Sequence, residues 1–261
     1  MSAAQAVIIE SDVRRIWAAV RFVDGPSQRT VEVPLQVSAR GARWVRNLSG
    51  LHVLAELDET LLDAADRPPG LAAQLAGYEA AFELAPAVPA LAVGGRVSDP
   101  SGRYLPRLFT VNLPRAQLPA GRLADRFIPV GVMLDPSPAV PLLGSWAALY
   151  VSVTHAGRPA AHAVLRLHRV AGGQLLGRAM SDARGQALLI AAGITQVTVG
   201  QGELVVEREI EADLTVSFDP AADPLLPIDP DALALRAGVV RRILRRSVAS
   251  GRVETLALAL P

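Results

Sequence analysis

The chain has 261 residues, and with 51% hydrophobic and 20% charged side chains it can fill ordinary globular cores and does not resemble a disordered polymer. All 26 basic residues are arginine and they balance 25 acidic ones, so a net charge of +1 gives no general attraction for nucleic acid or an anionic membrane, and lysine chemistry is excluded. The absence of cysteine excludes disulfides, thiol catalysis and thiolate metal sites.

The first 135 residues are predicted to form a β-sandwich domain, because short runs of alternating apolar residues recur between turn-forming residues. In residues 29–38 the valines and Leu35 share one face, and Pro34 places the strand at a sheet edge because proline has no N–H to donate. Residues 57–76 are predicted to be a loop with one short helix. The remaining strand candidates are 14–23, 41–47 paired with 50–56 as a hairpin, 78–84, 91–97, 108–113 and 127–134.

The proline-rich stretch 135–145 marks a domain boundary, and residues 146–218 are predicted to form a second β-sandwich. One short motif occurs in both domains, as SDPSGR at 98–103 and as SDARGQ at 181–186. In each copy an aspartate can begin a turn whose fourth position is glycine, so the motif predicts the same tight turn twice.

Residues 219–261 are predicted to form an extended arm, since four prolines in 219–230 exclude a helix or a central strand. The end of this arm has two interpretations. A helix could run over 231–248, although Gly238 disfavours it. A hairpin turning at Ser250 and Gly251 is favoured, because Leu256, Leu258 and Leu260 alternate with small or polar residues after the turn.

The sequence offers little for catalysis or metal binding. His155, His162 and His168 lie close in sequence, but the last two are about 20 Å apart along an extended strand, too far to share one metal ion. No G-x-S-x-G elbow is present, and the carboxylates are thinly spread. We therefore expect no catalytic, cofactor or metal site. An enzyme would need a polar pocket drawn from His52 and the other histidines.

Residues that could bind a protein partner are more evident. The densest basic patch is RRILRR at 241–246, which has no interleaved aromatic residue and therefore favours an acidic protein surface over nucleic acid. Tryptophan and arginine on one strand face, and a terminal strand able to extend a partner's sheet, are typical of protein interfaces. The candidate partner-binding residues are Trp44, Arg46, Arg241, Arg242, Arg245, Arg246, Leu256, Leu258 and Leu260. Alternatively, Trp17, Trp44 and Trp146 could form a platform that stacks on sugars, although core packing is the default for each.

Two resemblances follow from these residues. The glycine-proline turn at 157–159, the apolar strand from Ala163 and the SDARGQ turn resemble the carboxypeptidase-regulatory-like, or transthyretin-like, β-sandwich module. This module is non-catalytic in its family, so the resemblance implies a fold and no activity. The stretches VRNLSGLHVL at 45–54 and SDPSGRYLPR at 98–107, followed by that module and a proline-rich segment, resemble accessory proteins of phage-tail-like contractile injection systems.

The second resemblance implies a non-enzymatic subunit at a baseplate or cap, bound to other protein subunits as a homo- or hetero-oligomer. An N-terminus without a basic region or a long apolar run predicts a cytoplasmic particle with no membrane span. If residues 219–261 are an arm, deleting them should leave both sandwiches folded and abolish incorporation. A carbohydrate- or surface-binding β-sandwich is the alternative function.

Overall fold

In the computed structural model, the described residues are 16–57, 91–113, 128–142, 146–191 and 209–261, with residues 70, 73, 194, 197–198 and 205–206 between these ranges. They form an all-β fold of seventeen strands and a 3-10 turn at Leu233–Leu235. Within these ranges no helix is long and apolar enough to cross a membrane. The strand candidate at 78–84 and nearly all of the predicted loop and helix at 57–76 lie outside the described residues.

The first seven strands form two sheets that share one core, and we call them the first sheet pair. One sheet has the order β3-β4-β1-β7 and the other β2-β5-β6. The strands are β1 (Ala18–Asp24), β2 (Gln36–Ser38), β3 (Ala42–Arg46), β4 (His52–Leu57), β5 (Leu91–Ser98), β6 (Arg107–Leu113) and β7 (Val130–Leu134). Alternate side chains of both sheets fill the core, where Phe109 makes edge contacts with Phe22 and Trp44 at centroid distances of 5.5 and 5.4 Å.

Two predicted features of this region can be compared directly with the structure. The hairpin is confirmed, since β3 pairs antiparallel with β4 and the Gly50 N–H donates to the Asn47 carbonyl. The predicted strand over residues 29–38 is wrong in extent, because only Gln36–Ser38 pairs as a strand and Thr30 makes an isolated bridge. The side chains between them still alternate towards the core, so the apolar pattern persists where Pro34 interrupts the backbone ladder.

The remaining strands form a second sheet pair with its own core. One sheet has the order β11-β10-β15-β16 and the other β12-β8-β17, with β9 beside β8, while β13 and β14 pair separately. The strands are β8 (Ala147–His155), β9 (Arg158–Pro159), β10 (Val164–Arg169), β11 (Leu175–Met180), β12 (Gln186–Ala191), β13 (Val197–Thr198), β14 (Val205–Val206), β15 (Ile210–Phe218), β16 (Val240–Val248) and β17 (Val253–Leu260).

The last two strands overturn the prediction that residues 219–261 form an extended arm. β16 pairs antiparallel with β15, and β17 pairs in parallel with β8, so the two strands lie in opposite sheets and do not form a hairpin with each other. The helical alternative over 231–248 is wrong as well, because this stretch holds only the short 3-10 turn before β16. Deleting residues 219–261 would remove one strand from each sheet, so the truncated chain cannot keep the second core intact.

The segment between β15 and β16, residues 219–239, is folded through turns, and we call it the strap. It contains three Asp-Pro pairs, beginning at Asp219, Asp223 and Asp229. Each of these aspartates accepts a hydrogen bond from the backbone N–H two residues later, at 3.0, 2.9 and 3.0 Å. An aspartate followed by proline thus closes a local turn, and the prolines bend the strap over the sheets instead of extending it away from them.

The repeated turn motif behaves as its sequence predicts. The Gly102 N–H donates to the Asp99 carbonyl at 3.1 Å, and the Gly185 N–H donates to the Asp182 carbonyl at 2.9 Å. Both glycines have positive φ, of 71° and 74°. The same four-residue turn therefore occurs once in each sheet pair.

Candidate interaction surface at the C-terminal strands

Strands β16 and β17 are the outer strands of the two sheets of the second pair, and within the described residues each has a single neighbouring strand. They border the same side of the second core, because a guanidinium nitrogen of Arg242 in β16 donates a hydrogen bond to the Ala259 carbonyl in β17. We call the side of the second sheet pair that is bordered by β16 and β17 its open side. The basic patch predicted from sequence therefore lies on this open side, where edge strands can pair with other chains.

The register with β15 divides the four arginines between two faces. Arg242 and Arg246 stand opposite Val216 and Ala212, which belong to the core. Residues paired in this way share a face of the sheet, so both arginines point towards the space between the two sheets. Arg241 and Arg245 alternate with them and lie on the outer face, with Ile243 between them.

The two inward arginines contribute to the structure of the open side. Arg242 is bonded to the β17 backbone, and the Nε of Arg246 is buried with no hydrogen-bond partner among the described residues. Inward-pointing charges are one way in which natural edge strands resist uncontrolled pairing with other chains. Arg242 nevertheless remains exposed at the rim between the two sheets, whereas Arg246 is partly buried there.

The outer row, which we define as Arg241, Ile243 and Arg245, faces away from the core. Ile243 is 66% exposed in the middle of its nine-residue strand. Arg245 makes two bonds to Asp213, of 3.0 and 3.3 Å, and this pairing raises the pKa of Arg245. The row thus presents an exposed apolar side chain between two arginines, a residue type enriched in protein interfaces, beside an edge of the backbone.

The other predicted partner-binding residues have different roles. Leu258 and Leu260 are buried in the second core and Leu256 packs against it, which confirms that the three leucines share one face and places that face inside the molecule. Trp44 is buried in the first core, and Arg46 is exposed and donates to the Glu32 carbonyl at 3.1 Å. These positions stabilise the chain itself, except for the exposed Arg46.

The remaining tryptophans and the histidines also pack within the molecule. Trp17 packs against the first core, and Trp146 packs against a cluster that contains Leu188. The ring centroids of His155 and Phe218 are 5.4 Å apart, and the Nε2 of His162 is 3.2 Å from the Pro224 carbonyl oxygen, within hydrogen-bond distance. Within the described ranges, no three histidine or carboxylate side chains are arranged so that they could hold one metal ion.

A buried ionic cluster that no sequence pattern predicted lies where the two sheet pairs meet. Arg107 of β6 is fully buried and its Nη2 donates to Asp229 and Asp231 of the strap at 3.2 and 2.5 Å. Arg178 of β11 donates to the same Asp231 at 2.6 Å and to Asp135, which follows β7, at 3.2 Å. Buried charges of this kind are stable only when their partners are held in place.

The carboxyl groups of this cluster differ in their electrostatics. Burial raises the pKa of Asp135, against the opposing influence of Arg178 and Arg107. Burial also acts to raise the pKa of Asp231, but there Arg107 and Arg178 outweigh it and hold the pKa below its ordinary value. Asp231, whose side chain is 54% exposed, is therefore ionised wherever the protein is folded at neutral pH.

No local pattern predicts which residues meet in this cluster, because its members come from distant parts of the chain. Arg107 and Asp231 are 124 residues apart, and no spacing rule relates positions in different sheets. The Asp-Pro pairs in the sequence indicate local turns at some of these aspartates and do not indicate their arginine partners. Of the aspartates at 99, 135, 219, 223 and 229, only Asp135 shows no such turn, and its carboxylate instead meets Arg178.

No protein-family model, curated protein or solved structure matches this chain.

Proposed function

We propose that this chain is a non-enzymatic structural subunit that binds other protein subunits of a larger assembly through the outer row of β16. The two sheet pairs are, in this proposal, two Ig-like or transthyretin-like sandwiches that act as a connector. The observation that carries the proposal is Ile243, two-thirds exposed at the centre of an edge strand and flanked by Arg241 and Arg245. Arginine is enriched at the energetic centres of interfaces, and an exposed apolar side chain beside it gains free energy when a partner removes it from water.

The use of charge elsewhere in the chain supports this proposal. The buried arginines and aspartates are bonded to one another across the joint, and the histidines make separate packing contacts.

The resemblance of residues 45–54 and 98–107 to accessory proteins of contractile injection systems suggests the kind of assembly. In this proposal the chain connects neighbours at the baseplate or cap of a phage-tail-like particle that assembles in the cytoplasm. The support for this part is the sequence resemblance alone. The proposed sugar-binding alternative receives no support from Trp17, Trp44 and Trp146, which all pack against cores of the chain.

The test is native purification of the tagged full-length chain from the cells that encode it, followed by measurement of particle mass. We expect the chain to be recovered in a large complex and Ile243→Asp to be recovered mainly as the free chain. Leu48→Asp is the matched control, since Leu48 is fully exposed at the turn between β3 and β4, and it should enter the complex normally. Equal incorporation of both variants would exclude the outer row, and recovery of the original chain only in free form would exclude an assembly role.

A further inference from the structure

We infer that the strap is a clasp that fixes the orientation of the two sheet pairs, and that the carboxylates of Asp229 and Asp231 close it. Asp231 is the central contact, since one of its oxygens accepts from Arg107 of the first pair and the other from Arg178 of the second, at 2.5 and 2.6 Å. A single side chain therefore bonds both bodies at once. This inference goes beyond the proposed assembly role and does not depend on it.

The strap is attached firmly to the first sheet pair. Arg107 is 0% exposed, and besides its two carboxylate partners it donates to the Met133 and Leu108 carbonyls at 2.6 and 3.0 Å. Asp229 also accepts from the Thr110 hydroxyl at 3.1 Å. The Leu108 N–H donates to the Ile228 carbonyl of the strap at 2.8 Å, so backbone and side chains hold the same short segment.

The strap is attached to the second sheet pair at both of its ends and along its length. It begins where β15 ends and finishes where β16 begins. Ile228 and Leu233 pack with Val164 of β10 and Met180 of β11 in a small apolar cluster, and Arg166 donates to the Pro230 carbonyl at 3.4 Å. The first pair is thus held against the outer face of the second by a closed loop of chain.

Loss of the clasp carboxylates has a defined physical consequence. Arg107 would keep its charge at a fully buried position after losing both of its hydrogen-bonded carboxylates, with only the more distant Asp135 left to offset it, and such a weakly compensated buried charge is costly. Because Asp135 still pairs with Arg178, the second pair keeps one ionic contact to the first. The joint then gains stability by opening enough for water to reach Arg107, and the two sheet pairs become mobile relative to each other.

Pulsed electron–electron double resonance can test this inference by measuring the distance between two spin labels, one on each sheet pair. The chain has no cysteine, so two introduced cysteines are the only labelling sites. We place them at Ser49 in the first pair and Ala171 in the second, both exposed. With the strap unaltered, the distances between the two spin labels should form one narrow distribution. The double variant Asp229→Asn with Asp231→Ala should at least double its width, and Asp231→Ala alone, at a half-exposed site, should widen it less.

Asp223→Asn is the matched control, since Asp223 lies in the same strap, is exposed and, apart from its charge near His162, only closes a local turn. It should leave the distribution as narrow as in the parent. Circular dichroism would establish that each variant retains its β structure. Folded variants of Asp231 with a distribution as narrow as the parent would overturn the inference, and so would equal broadening by Asp223→Asn. If the double variant does not fold, the single variant decides between these outcomes.

Discussion

Replacing Gly185 by alanine, and comparing it with the same replacement at Gly102, distinguishes two losses of stability. One is the strain of a left-handed backbone, and the other is the overpacking caused by the added Cβ. Gly185 and Gly102 occupy the same position of the same turn, with φ of 74° and 71°. A left-handed backbone costs an alanine about 1–2 kcal/mol, and both positions share this cost. Their surroundings differ, because a Cβ on Gly185 would lie 2.4 Å from the Val153 carbonyl oxygen, whereas a Cβ on Gly102 meets nothing within 4 Å.

The Val153 carbonyl cannot move aside cheaply. It accepts a hydrogen bond from the Ala160 N–H at 3.0 Å, and the Val153 N–H donates to the Gly185 carbonyl at 2.8 Å. Forcing an extra carbon into a well-packed site costs about 1–3 kcal/mol. We therefore expect Gly185→Ala to lower the free energy of unfolding by about 2–5 kcal/mol, from the sum of strain and overpacking. Gly102→Ala should lower it by about 1–2 kcal/mol, from strain alone.

Urea titration and thermal melting of the two variants beside the parent would measure the difference. At about 2–4 °C per kcal/mol for a chain of this size, Gly185→Ala should melt roughly 2–12 °C below Gly102→Ala. Equal losses in the two variants would refute the reasoning, because they would mean that backbone strain decides both positions and that the Val153 contact carries no cost.

Three further predictions concern the two cores and the response to acid. Gly95→Ala would place a Cβ 2.4 Å from the Phe109 ring and should lower the free energy of unfolding by about 1–3 kcal/mol. Gly94→Ala on the same strand makes only ordinary contacts and is the control. Urea titrations that give the two variants the same stability would contradict this prediction. Leu258→Ala should cost about 2–5 kcal/mol and Val253→Ala, on the exposed side of β17, under about 0.5 kcal/mol; a Leu258→Ala loss as small as the Val253→Ala loss would place β17 outside the core. Burial lowers the pKa of both His52 and His162, so the folded chain binds fewer protons than the unfolded chain. The stability that the two neutral histidines contribute is fully present above about pH 6.5, the pKa of histidine in the unfolded chain. It is lost as the pH falls from there through their lowered pKa values in the folded chain. Urea midpoints should therefore fall from pH 8 to pH 5.5, and the paired variant His52→Gln with His162→Asn should show a smaller fall; a parent midpoint that does not change would count against it.

Much of the local structure was predictable because it depends on neighbours in sequence. The turn at 47–50, the SDxxG turns and the inward leucines of β17 all follow from residue type and a period of two. The basic patch was also recognised. Its division into outer and inward arginines was not, because that depends on the register against β15.

The sequence alone determined that this is an all-β chain with two apolar cores and tight aspartate-glycine turns, because alternation and turn chemistry act over a few residues. The tertiary structure decided that the last two strands complete the second sheet pair, since β17 must find β8 about a hundred residues earlier. It also decided which charges meet across the joint, where Arg107 and Asp231 are brought together only when both sheet pairs and the strap are in place. Such contacts depend on long-range packing, and no local pattern encodes them.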